Sequence, residues 1–178
     1  LRCRSMAAGL RNNPLHPPHL PARMIFHRDT VIGPDVIALL EQHRAAMEDT
    51  TPAESRHALD ATGLRQPEVS FWTLHLDDAL VGCGALKHLG PGHAEIKAMR
   101  TAKTHLNRGL GKAMLDHLMA EAARGGYRRL SLETGAMAYF EPARRLYLAT
   151  GFTTCPPFGD YVDDPNSVFL TRLLDADA

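Results

Sequence analysis

Residues 69–101 alternate apolar and polar side chains with a period of two, the pattern of strands with one buried face. VSFWTLHL and LVGCGALKHL are predicted as two strands joined at Asp77-Asp78. HAEIKAMRT follows across Gly90-Pro91-Gly92, so the stretch predicts an antiparallel meander. Before it, MIFHR (24–28) predicts a first strand. DVIALLEQHRAAMED then places Val36, Ile37, Leu40 and Met47 at helical spacing, with Pro34 where a first turn tolerates it. Residues 49–67 are polar and bounded by prolines, and predict a loop with a short helix. After the meander, Met114, Leu115, Leu118, Met119 and Ala122 form the stripe of an amphipathic helix that Gly125-Gly126 ends. YRRLSLET predicts a strand and FEPARRLYLAT a helix, with further strands near Phe152–Cys155 and Ser167–Leu173. A meander followed by strand, helix, strand and helix calls for an α/β (α+β) fold, a mixed sheet with helices on its faces.

Composition narrows the function. Twenty basic residues balance twenty acidic ones, so no global field draws the chain to nucleic acid or anionic lipid, and basic-aromatic interleaving is absent. No apolar run approaches the roughly 20 residues that span a bilayer. Cys3, Cys83 and Cys155 make no CxxC pair or metal spacing, which points to free thiols in a reducing, cytoplasmic setting. No histidines form HxxxH or HxH, so no metal site is expected. Residues 1–23 are rich in Arg and Pro and contain no acid; they are expected to be a disordered N-terminal extension ahead of a single domain over 24–178.

The chemistry concentrates in EIKAMRTAKTHLNRGLGKAML, from Glu95 to Leu115. A strand ends near Thr101, a polar loop follows, and Gly109-x-Gly111 leads directly into the helix. Helix-start N–H groups lack intrahelical partners and sit at the positive end of the dipole. Glycines let that backbone approach a diphosphate, and Arg108 and Lys112 add positive charge. The spacing is neither the GxGxxG of a dinucleotide fold nor the GK[ST] of a P-loop, because Ala113 follows Lys112. By itself the stretch also suits an ordinary helix entry.

Downstream, Ala143, Leu146, Tyr147, Gly151 and Phe152 spell A-x-x-L-Y-x-x-x-G-F. Together the two segments resemble the GNAT superfamily over residues 24–174. The strings HALD (57–60), EIKAMRT (95–101), RRLSLETG (128–135) and DPNSVF (164–169) resemble its YsnE-like bacterial branch most closely. The resemblance implies a mostly antiparallel central sheet flanked by helices and an acetyl-CoA-dependent N-acetyltransferase. Met99, Arg100 and Thr101 would meet the pantetheine arm. Leu106, Asn107, Arg108, Gly109, Leu110 and Gly111, with Lys112, would hold the pyrophosphate. Tyr147 falls on the family tyrosine that protonates the departing thiolate, although a tyrosine on an apolar helix face also suits a core. Two positions depart from the family pattern: Leu106 stands where Arg or Gln is usual, and Phe140 where Asn is frequent.

The expected chemistry is direct acyl transfer to a primary amine of a small molecule or peptide, with Glu95 or Glu133 as the base. Glu95 equally suits a solvated strand end. Neither Cys83 nor Cys155 has the partners of an activated nucleophile. His57, Trp72, Asp160 and Tyr161 are candidates for acceptor contacts, with Trp72 also suited to the core. The alternative function is a non-catalytic acyl-CoA-binding sensor or regulatory module, for which Leu106 and Phe140 leave room. Homodimers are common in the family, and the sequence argues neither for nor against one.

Overall fold

In the computed structural model, which describes residues 23–48, 51–55 and 57–174, seven strands form one sheet in the order β1-β2-β3-β4-β5-β7-β6. Most of the expected N-terminal extension therefore lies outside the described residues. The strands are β1 Met24–Asp29, β2 Val69–Leu76, β3 Ala79–Gly90, β4 His93–Thr101, β5 Arg129–Gly135, β6 Thr153–Thr154 and β7 Ser167–Leu173. The helices are α1 Pro34–Glu48, α2 Ala61–Leu64, α3 Leu110–Arg124 and α4 Glu141–Ala149. Element order and type follow the sequence pattern closely. Of the neighbouring pairs, only β4 and β5 run parallel, as the helical crossover α3 between them requires.

Alternation along the strands sorts the core onto two faces. Trp72, Leu86, Leu130, Leu132 and Leu170 pack with Met114, Leu115 and Leu118 of α3 and Tyr147 of α4. Phe71, Cys83 and Ala85 pack on the other face with Val36 and Leu39 of α1 and Leu64 of α2. Trp72 pairs across the sheet with Gly84, where a Cβ would lie 2.9 Å from Leu118 Cδ1, so a side chain there would crowd α3.

Two irregularities shape the middle of the sheet. The first is a β-bulge: Cys83 pairs with Arg100 but Ala85 with Lys97, which leaves an extra residue in β4, and Ala98 takes a φ of 53°. The Cys83 thiol donates to the Ala98 carbonyl at 3.3 Å. Burial pushes that thiol up to about 12, so it stays protonated and is no nucleophile. The second is a splay. Pairing of β4 with β5 stops at Glu95–Ser131, and the two strands then diverge.

On the α3 face, His117 stacks on Phe26 at 4.1 Å between centroids and meets Trp72 edge-on. Its Nε2 is buried without a hydrogen bond, 3.8 Å from Glu121 Oε1. Burial lowers its pKa, so the unfolded chain binds the proton more readily than the folded one. Stability should be intact above the unfolded value of about 6.5 and decline as pH falls through the lower folded value. Urea unfolding of wild type and His117→Phe from about pH 7.5 to about pH 5 should show a weaker acid loss in the variant. Equal losses would contradict this assignment.

Candidate active site

Where β4 and β5 diverge, a cavity of about 170 Å³ opens between α1, the segment leading into α2, and α4. The four strings that carried the closest family likeness are far apart in sequence and meet around it. His57 and Asp60 come from the first, Lys97, Ala98 and Met99 from the second, and Glu133, Thr134 and Gly135 from the third. The fourth contributes from behind: Ser167 Oγ donates to Glu133 Oε1 at 2.7 Å, and Asn166 Nδ2 to Ser55 Oγ at 3.2 Å.

The cavity is reached from both faces of the sheet. Leu130 and Leu132 pack under α3 and α4, so Glu133 projects to the opposite side, while Tyr147 arrives from α4. Burial pushes the Glu133 carboxyl above the usual carboxylate range, against the opposing influence of Ser167, His57 and Lys97. Burial, with the Glu133 charge adding to it, raises the Tyr147 phenol as well. Among the described residues, the Tyr147 hydroxyl donates only to Met99 Sδ, at 3.7 Å, which leaves it available to a substrate atom.

Glu95 is 2% exposed, not a solvated strand end. Its Oε1 accepts from the Tyr161 hydroxyl at 2.6 Å and from Lys97 Nζ at 3.1 Å. Glu95 lines not the main cavity but a second one, of about 270 Å³, together with Asp160 and Tyr161. His57 and Lys97 stand in the wall that both cavities share. Trp72 lies apart, in the core against α3 with Arg28 over its ring at 5.6 Å, and lines neither cavity. Alternation on β2 turns it toward α3.

The nearby loop leaves the start of a helix exposed. Leu106 is 52% exposed, and Asn107 and Arg108 are exposed as well. Asn107 takes a φ of 59° and Gly109 a φ of 78°. Gly109 is the N-cap of α3, no side chain caps the helix, and a Cβ on Gly109 would meet nothing within 4 Å. The N–H groups of the first turn, from Leu110 through Lys112, are therefore open to a ligand. Lys112 pairs with Asp116 at 2.6 Å, so it adds less positive field than its sequence position promised. Gly111 lies against Thr101 and Leu146, which brings the start of α3 to the end of β4 and to α4.

Beyond Glu95, β4 has no partner on its β5 side, so the edge carrying Met99, Arg100 and Thr101 can pair with a ligand. Arg100 Nη1 reaches across the opening to the Tyr139 hydroxyl at 3.2 Å. Phe140 packs so tightly on Gly135 that a Cβ there would lie 2.3 Å from its ring, so an aromatic wall fills the position where the family often has Asn. The splayed edge, the open helix start and the tyrosine fit a CoA thioester with its diphosphate. Residues 36–152 match the model of the acetyltransferase (GNAT) family.

The chain belongs to the GNAT acetyltransferase family.

It is an acyltransferase. The N-acetyltransferase YsnE of Bacillus subtilis (strain 168) is 51% identical over 146 residues, covering 82% of this chain and 97% of YsnE. An acyl-CoA N-acyltransferase from Klebsiella pneumoniae superposes with a TM-score of 0.71 at 26% identity, over 85% of this chain and 98% of that one. A GNAT acetyltransferase of Elizabethkingia anophelis, solved with acetyl-CoA bound, shares the fold at a TM-score of 0.61 and 18% identity, over 85% and 98% of the two chains. No helix among the described residues is long and apolar enough to cross a membrane, and no group of three or more His, Cys, Asp or Glu among them is arranged to hold a metal ion.

Lys97 escaped the sequence reading. The available signal was the pair Glu95 and Lys97, opposite charges two apart on a strand and so on one face.

Proposed function

We propose that the protein transfers the acetyl group of acetyl-CoA directly to a primary amine, with Glu133 as base and Tyr147 as acid. The reading is carried by one observation: Glu133 and Tyr147 reach the same cavity from opposite faces of the sheet, beside an unpaired strand edge. The diphosphate would take the N–H groups at the start of α3, with the arm along Met99 to Thr101. The amine sheds a proton to Glu133 as its nitrogen bonds the thioester carbonyl carbon. The C–S bond then breaks, and the thiolate takes the proton of Tyr147. The proton held by Glu133 then returns to the Tyr147 phenolate, so a neutral amine and acetyl-CoA give the amide and free CoA thiol. Burial raises the Glu133 pKa, which strengthens it as a base. Glu95, tied to Lys97 and Tyr161 and outside the main cavity, is better placed to orient Lys97 than to deprotonate an amine.

The direct test measures thiol release from acetyl-CoA across a panel of small amines and peptides. Release that requires one of the amines, with a matching acetylated product, supports the proposal. Acetyl-CoA binding without any acceptor-dependent release would favour a sensor.

A further inference from the structure

Several charged side chains stand around the main cavity. Arg44 lies between Glu41 and Glu48, at 2.9 and 2.5 Å. Asp60 accepts the Gly63 N–H at 2.7 Å as the N-cap of α2. Glu133, which accepts the Ser167 hydroxyl, and Lys97, which pairs with Glu95, also line the cavity, one acid and one base.

Lys97 is the unusual member. Its side chain is only 9% exposed, and its Nζ donates to the Tyr161 hydroxyl at 2.6 Å and to Glu95 Oε1 at 3.1 Å. An ammonium carries three N–H donors. The third has no partner among the described residues, although Lys97 forms part of the wall of both cavities. A nearly buried ammonium with an unspent donor is costly unless something fills that position. The ammonium neutralises the buried Glu95 carboxylate, whose Oε1 also accepts the Tyr161 hydroxyl, and that pair uses only part of the lysine's donor capacity. The Glu95 and Tyr161 contacts hold the ammonium in place, and the lysine lines the cavity in which a ligand would meet its remaining donor.

We infer that the acceptor is a small aminocarboxylate, such as a free amino acid, whose amine faces Glu133 and whose carboxylate binds the third N–H of Lys97. This rests on the reading of the cavity as an acetyl-transfer site. Lys97 is then a specificity residue, and Glu95 and Tyr161 position it. An acceptor without the carboxylate leaves the Lys97 donor unpaired, and a charge-assisted hydrogen bond of this kind is worth about 10- to 100-fold in kcat/KM.

The experiment compares the common amino acids with their primary amides and decarboxylated amines as acceptors, using wild type, Lys97→Met and Lys97→Arg. Wild type should prefer at least one acid over its amide by about 10-fold or more. Lys97→Met should erase the preference by slowing the acid alone, and Lys97→Arg should restore part of it. Amides or amines used as well as the acids by wild type would overturn the inference and leave acetyl transfer standing. Equal losses on acid and amide in Lys97→Met would also overturn it, since a purely structural lysine predicts that result. If acetyl-CoA binds but no member of any series is acetylated, the transfer reading itself falls.

Discussion

Tyr147→Phe should lower turnover about 100-fold while leaving acetyl-CoA affinity unchanged. Among the described residues, the hydroxyl donates only to a methionine sulfur at 3.7 Å, so its removal breaks no strong contact with them. The ring meanwhile keeps its place in the core beside Phe152. The size of the effect follows from the environment. Burial raises the phenol above its ordinary value, so it keeps its proton throughout the neutral range and acts first as a donor to the departing sulfur. An acid that weak belongs at the lower end of the range for general acid catalysis, about 10² to 10⁴. Steady-state kinetics beside a calorimetric titration of acetyl-CoA would check both parts. Unchanged turnover would reduce Tyr147 to a core residue with a satisfied hydroxyl.

Glu133→Gln should have the larger effect, a loss of about 10² to 10⁴ in kcat/KM. It should carry no loss of stability at neutral pH. The carboxyl is pushed up by burial, so the folded protein holds that proton more tightly than the unfolded chain. Its favourable contribution is therefore present below the unfolded value and is lost as pH rises through the folded one. At neutral pH the buried charge is a burden, and glutamine can still accept the Ser167 hydroxyl. The wild-type pH profile should show an acid limb above the ordinary carboxylate range, which Glu133→Gln removes. A variant that unfolds at neutral pH, or keeps the acid limb, would contradict the base assignment. If Glu95→Gln alone removed the limb, the base would be Glu95.

Much of the fold was legible because its signals are local. Period-two alternation set the meander, the apolar stripe set α3, and Pro142 opened α4. The loop proposed for the cofactor was readable for the same reason, since a polar loop with two glycines before a helix stands out in one short window. The acceptor side was not. The role proposed for Lys97 depends on Tyr161, which lies 64 positions away, and Glu133 gained its setting from Ser167, which lies 34 away. The bulge at Ala98 left no turn residue as a marker, because it arises from the pairing of β3 with β4. Trp72 was ambiguous because a large aromatic serves core and pocket equally well. Only the sheet register, which turns it toward α3, decides between them.

The central claim is that the open start of α3 and the splayed edge of β4 form an acetyl-CoA site. The most direct measurement is a calorimetric titration of acetyl-CoA into wild type and into Gly109→Glu/Gly111→Glu, with thermal unfolding to confirm that both proteins are folded. The double variant puts carboxylates where the diphosphate should lie. The structure predicts micromolar binding by wild type and none by the folded variant. Equal binding by the two, or no binding by folded wild type, would contradict the site.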